Sequence, residues 1–377
     1  MPCFHPLKAF KIGTLPSGKD NLKICSYATD HVELIKGVYT PTHLPGRSGL
    51  CEKMFTEWKE IPCGQCEGCR IDRSRDWANR CMMELQYHKD AYFVTLTYND
   101  EHVPRAYYAD PETGEAFESK TLLKRDWQLF MKRLRKATSG RPDCENLRFF
   151  MCGEYGPKTL RPHYHAIIFG LHLDDLKPFS QRQLGKKFYN YFTSETLQNA
   201  WSVVQYSQGN PSSSGEVFTS DSFQQKRIRV PLGHVLVGQV TWETCAYVAR
   251  YVLKKQYGVD AQVYTAFNLE PEFTLMSRRP GIGRQWYEDH PECYDFDFIN
   301  ISTPDGGKKI RPPKYFDRLF DLDNHEEMLE LKSKRQQFAE EQKKAMMASS
   351  SLTYPEILEI KERMFHNRIK TLRRELL

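Results

Sequence analysis

The sequence predicts a mixed α+β protein, on three observations. AYFVTLTY, residues 91–98, alternates with the two-residue period of a strand, Thr95 and Thr97 on one face and Val94 and Leu96 on the other. LRFFMCGEYG (147–156) and HYHAIIFGL (163–171) read as two more strands joined by a turn that bears Gly and Pro. Segments of helical period separate and follow these strands.

Taken in order, residues 1–60 hold many turn residues and no sustained period, which suits an irregular or β-rich segment. Residues 70–88 form an amphipathic helix with Ile71, Ala78, Cys81, Met82 and Leu85 on one face and arginines crowding its start. In 122–137, Trp127, Phe130, Met131 and Leu134 give the i, i+3, i+4, i+7 stripe of a helix whose other face is basic. Residues 205–225 are rich in Ser, Gly and Gln and read as a surface loop. TWETCAYVARYVLKKQY, 241–257, is a helix ended by Gly258. Two polar helices, 323–347 and about 355–376, close the chain as an extension with little core of its own.

The 377 residues suffice for one large domain or two ordinary ones. Lys and Arg exceed Asp and Glu by 54 to 48, a surplus too modest to name a partner by itself. No run of eighteen apolar residues predicts a membrane span, and MPCFHPLKAFKIG lacks the apolar core of a secretion signal. A reducing cytoplasm is the expected compartment, so the 11 cysteines read as thiols or metal ligands. GTLPSGKD (13–20) mimics a phosphate loop, but Asp20 stands where Ser or Thr would bind Mg2+. No helicase motor is expected.

Chemistry is concentrated in two short stretches. In RPHYHAII (161–168), His163 and His165 lie two apart on a strand and present their rings to one face. Tyr164 and Ala166 point the other way, into the core. Glu154, on the preceding strand, can come opposite the pair across a hairpin. Two neutral imidazoles and a carboxylate suit a divalent cation with open positions; hydrogen-bonded surface histidines are the alternative. In the helix at 241–257, Tyr247 and Tyr251 stand one turn apart, with Arg250, Lys254 and Lys255 near them. A phenol becomes an effective nucleophile toward a phosphodiester held by a metal and by cationic side chains; plain packing is the alternative. Cys63, Cys66 and Cys69 in PCGQCEGC have spacing suited to a structural zinc. Cys3, His5, Cys51 and Cys81 are candidates for its fourth ligand, and buried thiols are the alternative.

The ordered set FVTLTY (93–98), RPHYHAII (161–168) and YVARYVLKK (247–255) resembles the HUH endonuclease superfamily. More narrowly it resembles the rolling-circle replication initiators of microviruses, of gokushovirus type. MPCFHPL, PCGQCEGCR (62–70) and MSRRPGIGRQW (276–286) fit that group. The resemblance covers most of residues 1–290. It implies an HUH fold, a central antiparallel sheet of about five strands flanked by helices, with an irregular segment at 1–60, the endonuclease domain and cysteine cluster at 61–290, and a largely helical extension at 291–377. It implies Mg2+ or Mn2+ on Glu154, His163 and His165. Tyr247 or Tyr251 would nick single-stranded or supercoiled phage origin DNA and form a 5′-phosphotyrosine, with Lys254 or Lys255 assisting. Arg250, Arg278, Arg279, Thr95 and Thr97 are the expected DNA contacts. Host helicase and DNA polymerase are the expected partners, in the bacterial cytoplasm. The pair departs from Y-x-x-K-Y in having Arg250 before the second tyrosine; a guanidinium grips phosphate but gives up no proton at neutral pH. A relaxase or transposase of the same superfamily is one alternative reading. A non-catalytic zinc-bearing DNA-binding protein is the other.

Overall fold

The computed structural model describes residues 3–44, 46, 48–144, 146–156, 159–184, 187–207, 226–251, 261–303 and 306–370. The chain divides into two units, Met1–Arg73 with Phe320–Leu377, and Ser74–Leu319.

In the first unit, residues 1–60 carry strands where an irregular course was one expectation. These are β1 (Leu7–Thr14), β2 (Asp20–Ser26), β3 (His31–Ile35), β4 (Val38–Thr42), β5 (Lys53–Phe55) and β6 (Trp58–Ile61). They form two three-stranded sheets, β2-β1-β6 and β4-β3-β5. Phe10, Cys25 and Val32 make a small core. Few long apolar side chains alternate here, which is why the strands are hard to read from the sequence. Helix α1 (Glu67–Leu85) follows.

In the second unit come β7 (Ala91–Thr97), β8 (Arg105–Ala109), β9 (Ala116–Lys120), α2 (Lys124–Ala137), β10 (Arg148–Tyr155) and β11 (Pro162–Phe169). Next are β12 (Leu176–Leu184), β13 (Lys187–Ser194), α3 (Glu195–Ala200), β14 (Ser202–Ser207), β15 (Lys226–Pro231), β16 (Val235–Gln239) and α4 (Trp242–Tyr251). Then follow α5 (Gln262–Ala266), β17 (Phe273–Met276), α6 (Arg284–Asp289), β18 (Ile299–Thr303), β19 (Gly306–Ile310) and α7 (Lys314–Asp323). The tail returns to the first unit as α8 (His325–Ala348) and α9 (Tyr354–Lys370). Lys343 of α8 pairs with Glu60 and lies over the Tyr354 ring, and Leu358 is buried. The extension is therefore anchored within its unit, although most of α8 faces solvent.

The central sheet has seven strands, two more than expected, in the order β12-β13-β16-β7-β11-β10-β17, and every pairing is antiparallel. The extra strands include β16 and β17, five and four residues long. Such short runs carry little period of their own. One face of the sheet packs on α2. Trp127, Phe130, Met131 and Leu134, the stripe read from the sequence, meet Val94, Leu96, Tyr164, Ala166 and Ile168 in one core cluster. The opposite face carries Phe93, Phe150 and Ile167, all buried. There α4 lies against β10 and β11. From α1, Trp77 stacks on Phe150 with ring centroids 4.6 Å apart. Two hydrogen bonds tie α1 to α4, from Ser74 Oγ to the Ala246 carbonyl and from Trp242 Nε1 to Asn79 Oδ1. The buried face of α1 uses Ala78, Cys81 and Met83; Met82, expected there, is half-buried.

Arg80 shows how thoroughly α1 is used for structure. It is 5% exposed, donates twice to the Ile282 carbonyl and lies between the rings of Trp77 and Tyr315. No helix among the described residues is long and apolar enough to cross a membrane.

Candidate active site

Register assembles the site. On the hairpin of β10 and β11, Glu154 pairs with His163 and Cys152 with His165. On the other side of β11, Thr97 pairs with His163 and Thr95 with His165. Paired residues of antiparallel strands share a face. The carboxylate, both imidazoles and both threonines therefore stand together on the α4 side.

The side chains converge there. His163 Nε2 and His165 Nε2 each lie 2.9 Å from Glu154 Oε1. The two rings are nearly perpendicular, with centroids 4.9 Å apart. Each ring is held through its second nitrogen: His163 Nδ1 is 3.0 Å from the Arg161 carbonyl, and His165 Nδ1 is 2.9 Å from Thr95 Oγ1. Phe93 stacks on His165 from below, 5.6 Å away and nearly parallel. Glu154 and His165 are almost fully buried, while His163 keeps 19% of its side chain exposed, so the site opens on the His163 side.

This donor set fits a divalent cation. A carbonyl oxygen can only accept, so the Arg161 contact places the proton of a neutral His163 ring on Nδ1. Its Nε2 then aims a lone pair at a carboxylate oxygen. Two acceptors facing each other at 2.9 Å require a proton or a cation beside them. Burial raises the Glu154 carboxyl pKa; when the facing Nε2 atoms carry protons instead, their hydrogen bonds overcome burial and hold the group at about 2. Glu154 thus stays ionised, as a metal ligand must.

Tyr247 joins these residues from α4. It is buried, and its ring meets His165 edge-on at 5.1 Å and Phe93 at 6.2 Å. Cys245, Val248 and Ala249 are buried beside it, as the apolar side of this helix requires. Arg250 is exposed, with its guanidinium 5.6 Å from the Tyr247 ring centre. Tyr251 ends the described part of α4. Lys254 and Lys255 lie outside the described residues, as does most of the expected loop at 205–225.

Other expected DNA contacts sit elsewhere. Thr95 is 6% exposed and its hydroxyl is engaged with His165. Thr97 is partly exposed and its hydroxyl donates to the His234 carbonyl. Arg278 and Arg279 are exposed and line a groove with Arg135 and Arg148. That groove lies at the Arg148 end of β10, six residues from Glu154, on the order of 20 Å along a strand. The basic face of α2 belongs to the helix on the opposite side of the sheet.

Three contributors escaped the sequence reading. Phe93 could have been found, because it lies two residues before Thr95 on the same strand face. Tyr98 could not: its hydroxyl meets the buried Tyr164 hydroxyl at 2.9 Å across the sheet's other side. Tyr164 is in turn tied to the backbone of Leu123, which fixes β11 against the start of α2. Arg161 donates to the Tyr98 carbonyl and pairs with Asp100, so its own carbonyl is well placed for His163.

Comparisons with known proteins bear out the resemblance drawn from the three ordered motifs. The family model described as Replication-associated protein ORF2/G2P matches residues 91–256, the span from β7 through the tyrosine helix. Replication-associated protein ORF2 of Spiroplasma virus 4 is 31% identical over 320 residues, 84% of this chain and 85% of that protein. Replication-associated protein VP4 of Bdellovibrio phage phiMH2K is 28% identical, covering 73% of this chain and 71% of that protein. Replication-associated protein ORF4 of Chlamydia phage 1 is 27% identical over 52% of this chain and 38% of that protein. No solved structure matches the chain. By its motifs and by the length over which these relatives align, the chain belongs to the family of microvirus-type phage replication-associated proteins.

Proposed function

We propose that this protein initiates rolling-circle replication by nicking phage origin DNA through a tyrosine nucleophile. One observation carries the reading. Glu154, His163 and His165 from two strands converge within hydrogen-bond distance, and a helix from elsewhere in the chain sets Tyr247 against them. A packing tyrosine needs no such neighbours.

Glu154, His163 and His165 would hold Mg2+ or Mn2+, which when bound polarises the scissile phosphate. The remaining work falls to the chain. The phenolic oxygen of Tyr247 or Tyr251 attacks phosphorus and gives up its proton. The bond from phosphorus to the 3′ oxygen breaks, and that oxygen takes a proton. One P–O bond forms as one is lost, leaving a 5′-phosphotyrosine and a 3′-OH that can prime synthesis. The second tyrosine repeats the cut on the regenerated origin. The released 3′-OH then attacks the phosphorus of the first link and loses its proton, the P–O bond to the first tyrosine breaks, its phenol regains a proton, and a circle is closed. Arg250, at the exposed edge of α4, grips the phosphate beside Tyr247. Lys254 or Lys255 supplies the proton to the departing oxygen. Helicase and polymerase come from the bacterial host, in whose cytoplasm the reaction takes place.

The test uses purified full-length protein, labelled single-stranded DNA tiling its own genome, and added Mn2+ or Mg2+. A metal-dependent covalent adduct is expected, absent from His163→Ala and from the Tyr247→Phe/Tyr251→Phe double variant. Folded protein that binds the DNA but gives no adduct on any segment would instead favour the non-catalytic DNA-binding reading.

A further inference from the structure

We propose that Cys3, Cys63, Cys66 and Cys69 bind a structural zinc ion that fastens the start of the chain to the first turn of α1. This inference stands apart from the nuclease reading, because none of the four belongs to the candidate active site.

Distance is the first argument. The four sulfur atoms all lie within 4.8 Å of one another. Cys3 Sγ is 3.6 Å from Cys63 Sγ and 3.8 Å from Cys66 Sγ. Tetrahedral zinc with Zn–S bonds of about 2.3 Å has sulfur–sulfur edges of about 3.8 Å. A disulfide would bring a pair to about 2.05 Å. The spacing is that of four ligands around one small ion.

Backbone donors are the second argument. Phe4 N–H points at Cys66 Sγ and Cys63 N–H at Cys3 Sγ, both at 3.3 Å. Gln65 and Cys66 N–H groups point at Cys63 Sγ, at 3.4 and 3.3 Å. Amides aimed at sulfur stabilise thiolates, the form that binds metal. Gly64, at φ +74°, makes the turn that turns both amides inward. Cys66 accepts the first helical bond of α1 through its carbonyl, and Cys69 lies in the first turn, where the helix dipole also favours negative sulfur.

The sequence left four candidates for the fourth ligand, and the fold selects Cys3. The choice has a structural consequence. Cys3 and Cys63 are sixty residues apart, and the loop between them contains β1 to β6. Closing a loop of that length removes much of the unfolded chain's freedom. Beside Cys3, the buried Phe4 ring lies 5.8 Å from Phe365 of α9, and His5 meets Glu362. The clamp therefore also fixes the residues on which α9 docks.

The experiment is metal analysis of purified full-length protein, beside Cys3→Ser, Cys66→Ser and the control Cys51→Ser. One zinc per chain is expected in the wild type and in Cys51→Ser, with at least a tenfold loss in the other two. Should those two fail to fold, cobalt substitution of the wild type is the second measurement. The visible spectrum of a tetrahedral four-thiolate cobalt site is then expected. Folded wild type without zinc, iron in its place, full zinc in Cys3→Ser, or a cobalt spectrum with fewer sulfur ligands would each overturn the proposal.

Discussion

At the scale of single residues, Thr95 shows what the site demands. Its hydroxyl holds Nδ1 of His165 while Phe93 supports the ring's face. Partners of this kind fix ring orientation and tautomer, and their loss costs roughly 10- to 100-fold in metal affinity or activity. Thr95→Val keeps the volume and removes the hydroxyl. It is expected to raise the Mn2+ concentration needed for nicking by about that factor. A shift in melting temperature without a shift in metal dependence would assign Thr95 to packing alone. Much of this chemistry was legible because it is local. His163 and His165 share a face by strand period, Tyr247 and Tyr251 by helical period, and Glu154 is one hairpin away. Cys3 was only one of four candidates, because nothing in sequence tells which of several distant residues returns across sixty positions.

Among the elements, the end of β7 meets the turn before β16 at a glycine. A β-carbon on Gly233 would sit 2.1 Å from the Thr97 carbonyl and 2.6 Å from Tyr98 backbone atoms. No side chain can yield there, so Gly233→Ala must displace the end of β7, which pairs with His163 through Thr97. Overpacking of this kind costs roughly 1–3 kcal/mol. Urea denaturation is expected to show that loss, together with weaker nicking. An unchanged midpoint would mean that the two segments lie farther apart than described. Pattern strength decided which elements could be read. The α2 stripe is regular enough to name all four buried residues, Trp127, Phe130, Met131 and Leu134. β6 and β16 are only four and five residues long, and their existence depends on partners far along the chain.

For the whole molecule, the first unit carries a buried cluster that makes stability depend on pH. In the first, His31 and Glu33 are both buried, with Asp30 and Ser48 against them. The hydrogen bond to Asp30 raises the His31 pKa above its ordinary 6.5. Its contribution to stability is fully present below that value and is lost as pH rises through the folded-state pKa. Hydrogen bonds from Ser48 hold the Glu33 carboxyl at about 2, below its ordinary 4.5. Its contribution is present above 4.5 and is lost as pH falls toward 2. This cluster is therefore most stabilising between those two ordinary values. Between about pH 5.5 and pH 8, the wild type should lose more denaturation midpoint than His31→Asn does. Equal losses would place the titration elsewhere. The tail belongs to this unit, a membership that is hidden in the sequence: its polar helices carry only scattered apolar residues, and their anchors lie hundreds of positions away.

The central claim is that the Glu154, His163 and His165 cluster works on DNA through the tyrosines of α4. Its most direct test is peptide mapping by mass spectrometry of the adduct trapped on origin DNA with Mn2+. The account predicts a nucleotide 5′-phosphate on Tyr247 or Tyr251, and no modified peptide when His165 is replaced by Ala. A phosphate linked to any other residue, or the same yield without His165, would contradict it.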